Sequence, residues 1–106
     1  MDYEITWTEP ALADLEAIVR YLPRRSTNVA ESVRTAILNH VETPARFPFI
    51  GPVYAPARSG RIREIVCQSY RIFYRVQETA HRVEILTVWH AARGEPQVSN
   101  GEQPDP

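Results

Sequence analysis

The chain has 106 residues, 43% of them hydrophobic, and a formal net charge of −1. That length fits one domain with a modest core, and the apolar content excludes disorder throughout. The single cysteine, Cys67, excludes disulfide staples and four-cysteine metal sites.

All twelve basic side chains are arginine, and they are unevenly spread. Residues 51–93 hold seven arginines against three carboxylates, Glu64, Glu78 and Glu84. A cationic face in the second half follows, suited to planar contacts with carboxylate or phosphate. The start, "MDYEITWTEP", has neither the basic nor the apolar region of a signal peptide, and no apolar run reaches about 18 residues. The expectation is a cytoplasmic protein with no membrane span and a reduced thiol.

"YEITW" alternates and reads as a first strand, with Tyr3, Ile5 and Trp7 on one side. A helix follows, with Thr8 as N-cap and Pro10 in its first turn. Leu12, Leu15, Ile18, Val19 and Leu22 form its apolar stripe, and Pro23 ends it. A second helix starts near "STNVAES", capped by Ser26 or Thr27; Val29, Val33, Ile37 and Val41 step by four, and Pro44 ends the pattern. The segment "PARFPFIGPVYAPARSG" reads as loop, with Phe47, Phe49 and Ile50 anchoring it at the core edge.

Three strands come next. In "RIREIVCQ" the adjacent Ile65 and Val66 break the alternation, which predicts a bulge or cover on both faces. "YRIFYRV" puts Tyr70, Ile72, Tyr74 and Val76 on one face and Arg71, Phe73 and Arg75 on the other. "RVEILTVW" puts Val83, Ile85, Thr87 and Trp89 on one face and Glu84, Leu86, Val88 and His90 on the other. The predicted fold is α+β: an N-terminal strand, then a helical hairpin packed on a mostly antiparallel four-stranded sheet, in the order β-α-α-β-β-β. Residues 1–94 form the domain. Residues 95–106, with three prolines and one aliphatic side chain, read as a flexible tail.

His90 has two readings: a general acid or base, or a partly buried strand-end histidine bonded to a backbone carbonyl. Arg61, Arg63, Arg71 and Arg93 are the candidate phosphate-holding cations, and adjacent strands can line several of them up. The alternative for each is a solvated sheet edge or a structural ion pair. Phase places Trp89 and Tyr70 with the aliphatic face. Cys67 reads as a small buried apolar residue. His40, His81 and His90 lack metal-ligand spacing, so neither a metal nor a cofactor is expected.

"GRIREIVCQSYRIFYRV" followed by "VEILTVWHAAR" resembles the C-terminal half of the RelE/ParE superfamily of toxins. "PALADLEAIVRYL" and "ARFPFIGPV" resemble the first half of its ParE-like branch, so the likeness spans residues 2–93. The resemblance implies a type II toxin, also called a plasmid-stabilisation protein, with a cognate ParD- or RelB-like antitoxin. It implies that the complex binds operator DNA through the antitoxin. Two activities divide the superfamily: RelE-like members cleave mRNA on the ribosome, and ParE-like members inhibit DNA gyrase. On the motif, Arg61 and Arg63 match basic positions after the long loop, Arg71 the arginine of "YRI", and His90 and Arg93 the terminal "H-x-x-R". The ribonuclease branch typically adds lysines in the basic patch and often a tyrosine beyond the last arginine; this chain has no lysine and nothing aromatic after Trp89. The implied function is gyrase inhibition. The alternatives are a ribosome-dependent endoribonuclease, with His90 and Arg93 catalytic, and an inactive antitoxin-binding protein.

Overall fold

Thr8 organises the start of the molecule. The structure, a computed structural model, describes residues 2–22, 27–96 and 98. Strand β1 (Glu4–Trp7) runs into helix α1 (Glu9–Arg20) with Thr8 as the N-cap. The Thr8 hydroxyl accepts from the Ala11 amide at 3.3 Å and donates to the Ile85 carbonyl at 2.8 Å. The Thr8 amide donates to the same carbonyl at 3.1 Å. One side chain thus satisfies a helix N-terminus and pins it to the last strand. Helix α1 buries Ala11 and Leu15, whereas Leu12, placed in the stripe by periodicity, is 46% exposed.

Helix α2 (Thr27–His40) packs Val33 and Ile37 against the sheet. The expected stop at Pro23 and the Ser26 cap lie outside the described residues. Pro44 does not end the helical pattern. It lies inside a short helix α3 (Glu42–Arg46), whose first turn tolerates its missing N–H. Among the described residues no helix is long and apolar enough to cross a membrane.

Strands β2 (Ile62–Cys67), β3 (Tyr70–Gln77) and β4 (Arg82–His90) complete a sheet of order β1-β4-β3-β2. The β1–β4 pair is parallel and the other two are antiparallel. The β2–β3 register runs unbroken from Ile62↔Arg75 to Cys67↔Tyr70, so β2 carries no bulge; Ile65 joins the helix-side core and Val66 is exposed. The bulge is in β4. Phe73 faces Thr87 and Tyr74 faces Ile85, which leaves Leu86 as the extra residue. This corrects the predicted faces. Val83, Ile85 and Val88 lie on the helix side, and Leu86 and Trp89 on the other.

The main core is on the helix side, where Ile72, Tyr74, Val83, Ile85 and Val88 meet α1 and α2. A second cluster of Tyr54, Ile62, Phe73 and Leu86 covers the opposite face. The loop anchors differ from expectation. Phe47, Phe49 and Ile50 are 57%, 49% and 53% exposed. The loop is held instead by the buried Tyr74, whose hydroxyl donates to the Pro48 carbonyl at 2.8 Å and accepts from the Gly51 amide at 2.9 Å. A Cβ on Gly51 would sit 2.6 Å from the Glu64 carbonyl oxygen, so only glycine fits there.

Replacing Thr8 with the near-isosteric valine removes the cap and the hydroxyl's bond to the Ile85 carbonyl, and leaves the amide's bond to it. The variant should lose about 1–2 kcal/mol, seen as a lower urea midpoint with an unchanged slope. An unchanged midpoint would mean Thr8 holds nothing together.

Candidate functional site

The β4 bulge turns His90 toward α1 and makes it part of a cleft. The cleft has a volume of about 600 Å³ and lies between the C-terminal half of α1 and the ends of β3 and β4. Ala17, Ile18 and Leu22 form its apolar wall, Tyr21 and Tyr70 its aromatic border, and Asp14, His90 and Arg93 its polar groups. Asp14, Ala17, Ile18 and Tyr21 follow the i, i+3, i+4, i+7 spacing of one helix face. That spacing was the available signal for Asp14, which the sequence reading missed.

Each polar group is held differently. The Asp14 carboxylate accepts from the Val88 amide at 3.1 Å. Burial raises its pKa above the ordinary carboxylate value, while the Val88 hydrogen bond and the charge of Arg93 pull it down. His90 caps the short 3-10 turn Ala91–Arg93, its Nδ1 accepting from the Ala92 amide at 3.1 Å. An imidazole that accepts at Nδ1 carries its proton on Nε2. The edge of the Tyr70 ring meets His90 with centroids 5.1 Å apart. The strand-end reading of His90 thus holds in form, although its partner is an amide and not a carbonyl. Arg93 lies 4.0 Å over the Trp89 ring, and the Trp89 indole N–H donates to the Gly94 carbonyl at 2.9 Å.

The other candidate arginines do not reach this cleft. Arg71 sits on the opposite face of the sheet. Its Nε meets Glu64 Oε2 at 2.5 Å and its Nη2 meets Glu64 Oε1 at 3.2 Å, and the guanidinium covers the Phe73 ring. Glu95 contacts the same guanidinium at 3.3 Å. The hydrogen bonds it donates to Glu64 drive the Arg71 pKa further up. Arg63 pairs with Tyr74 and so points to the other side from Arg71; it donates to the Gly51 carbonyl at 2.7 Å and lies over Phe49. Arg61 precedes β2, with its amide on Ser59 Oγ. Neighbouring strands therefore do not align Arg63 with Arg71. Arg75, on the Arg71 face, is bonded to Glu84.

Tyr54, Glu64 and Glu95 were also missed, because their roles depend on strand register. Burial and the bonded Glu95 push the Tyr54 phenol up. Burial pushes the Cys67 thiol up as well, which fits an unreactive core residue. His81 adopts a left-handed φ of 55° and stacks on Tyr3 at 3.9 Å. Among the described residues no three His, Cys, Asp or Glu side chains sit where they would hold a metal ion.

A carboxyl whose pKa is raised by folding binds its proton more tightly in the native state. Asp14 therefore costs stability as pH rises from its unfolded value through its folded value. Asp14→Asn keeps an oxygen for the Val88 amide and removes that titration. The variant should gain on the wild type in urea midpoint as pH rises above about 4, the unfolded aspartate value. A difference that stays constant with pH would show that Asp14 is not strained in the cleft.

The profile of the family described as "ParE toxin of type II toxin-antitoxin system, parDE" matches residues 5–94. A Sinorhizobium fredii protein named "Putative toxin Y4kP" is 36% identical over 96 residues, 89% of this chain and 94% of that protein. A chain from the chromosomal ParDE system of P. aeruginosa superposes with a TM-score of 0.67 at 21% identity, covering 83% of this chain and 95% of that one. A chain of the RelBE2 toxin–antitoxin complex of Mycobacterium tuberculosis gives 0.63 at 22% identity, covering 85% and 92%. The two structures bear on the fold, and the profile and the relative bear on the family. The chain belongs to the ParE toxin family within the RelE/ParE superfamily, as the toxin component of a type II toxin–antitoxin module.

Proposed function

We propose that this toxin inhibits DNA gyrase through protein contacts and does not cleave RNA. The observation that carries the reading is where the arginines are spent. A ribonuclease site needs cations gathered around the scissile phosphate beside its acid or base. Of the four candidates, only Arg93 lines the cleft with His90, and it shares that cleft with the Asp14 carboxylate. Arg71 lies between Glu64 and Glu95 on the far face, and Arg63 is turned onto loop carbonyls. A cleft with apolar walls, two tyrosines and one carboxylate suits a protein segment better than a polyanion. The cognate antitoxin neutralises this activity, and the complex represses its operon through the antitoxin's DNA-binding part.

The second reading, a ribosome-dependent mRNA endonuclease, is favoured by one feature. His90 and Arg93 share the cleft, and the His90 Nε2 is not tied to the Ala92 amide. The two readings separate in one pair of assays. Purified toxin should inhibit supercoiling by gyrase, His90→Ala should do so within about twofold, and message on programmed ribosomes should stay intact. Message cleavage that falls by about 100-fold or more in His90→Ala would overturn the gyrase reading.

A further inference from the structure

The loop after helix α3 fixes its backbone and turns its large side chains outward. The buried Tyr74 hydroxyl takes the Pro48 carbonyl and the Gly51 amide. Arg63 Nη1 donates to the Gly51 carbonyl at 2.7 Å and to the Phe49 carbonyl at 3.3 Å. The Phe47 amide donates to the Thr43 carbonyl, the Ile50 amide to the Phe47 carbonyl, and the Glu64 amide to the Pro52 carbonyl. Pro48 and Pro52 fix two φ angles as well. All of these restraints act on main chain, and none of them uses the side chain of Phe47, Phe49, Ile50 or Val53.

Val53 is 43% exposed, and Phe47, Phe49 and Ile50 are more so. Single exposed apolar residues are ordinary, but four within residues 47–53 make a patch. An ordered loop that kept this patch in water for no partner would lose twice, in chain entropy and in burial forgone.

The charge around the patch has one sign. Residues 43–63 contain Arg46, Arg58, Arg61 and Arg63 and no carboxylate. Arg46 is exposed and adjoins Phe47, and the Arg63 guanidinium lies 5.0 Å over the Phe49 ring. The acids that bound this stretch are Glu42, at the start of α3, and Glu64, which is spent on Arg71 on the other face of the sheet. An apolar centre edged by arginine has the composition of a protein interface. Its rigid backbone lowers the ordering cost of association. The surface that complements it is apolar at its centre and carries carboxylates at its edge.

We propose that loop 47–53 is the surface by which this toxin engages its protein target, with Phe47, Phe49 and Ile50 set into an apolar, acid-edged patch of that target. The proposal rests on the gyrase reading for the identity of the target and names the toxin's side of the contact. It uses neither the α1 cleft nor the sheet face covered by the C-terminal residues.

The test uses the full chain and purified gyrase in a supercoiling assay. Phe47→Ser with Ile50→Ser removes the most exposed part of the patch and should raise the half-inhibitory concentration at least about tenfold. Arg46→Glu leaves the apolar side chains in place and should raise it several-fold, by more at low salt than at high salt. Both variants should keep the wild-type urea midpoint, because the altered side chains are exposed. If the serine pair lowers the midpoint, Phe47→Ser alone takes its place. A benzophenone side chain at position 47 gives an independent readout: it should crosslink to gyrase, and one at the exposed Glu78 should not. A folded serine variant that inhibits within about twofold of the wild type, or equal crosslinking from both positions, overturns the assignment. Phosphatidylglycerol vesicles and sedimentation of the toxin alone then ask whether a membrane or a second copy takes the loop instead. Wild-type toxin that leaves gyrase untouched is a distinct failure, which removes the gyrase reading and this proposal together.

Discussion

Leu86 has no partner on β3, and everything after it on β4 is turned over as a result. Without that extra residue, His90 would face away from the helices and Trp89 would enter the core. With it, His90 borders the cleft beside α1 and Trp89 supports Arg93. The bulge persists because its loose backbone groups are taken up elsewhere. β1 ends at Trp7, opposite Ile85, and beyond that point Thr8 binds the Ile85 carbonyl while Asp14 binds the Val88 amide. Side chains from α1 thus continue the edge of β4 after the strand partner has stopped.

That arrangement explains which features the sequence revealed. The strands, the two long helices and the Thr8 cap follow from local periodicity and turn chemistry, which act within a few residues. The phase of β4 does not. "VEILTVWH" carries apolar residues on both faces in either register, so the run is equally consistent with a straight strand. The contacts that decide it come from Thr8 and Asp14, 77 and 74 residues away in sequence. Pro44 misled for a different reason. A proline reads as a stop in a helix interior and as neutral in a first turn, and only the break after His40 says which applies. Asp14 was legible in principle, from a helical face that holds one acid among Ala17, Ile18 and Tyr21.

The arginine count was a poorer guide than the arginine positions. Seven arginines against three carboxylates suggest a strongly positive half. The sheet spends much of that charge internally, with Arg71 on Glu64 and Arg75 on Glu84, all four side chains at most 20% exposed. At such sites the pairing offsets the cost of desolvating each ion and adds little net stability. What it supplies is orientation. Arg71 is held flat over Phe73 and near the Tyr54 ring, with one edge toward the chain's C-terminal residues. A cation fixed in this way recognises a single carboxylate well and attracts a phosphate backbone poorly, because Glu64 already satisfies most of its charge.

The two faces of the sheet meet at the end of β4. Trp89 and His90 are consecutive residues on opposite faces, and Arg93 both stacks on Trp89 and borders the cleft. The Gly94 carbonyl that receives the Trp89 indole N–H is one residue from the Glu95 carboxylate on Tyr54. The turn Ala91–Arg93 thus joins the two faces: its Ala92 amide donates to His90 Nδ1 on the helix side, and Gly94 leads on to Glu95 on the far side.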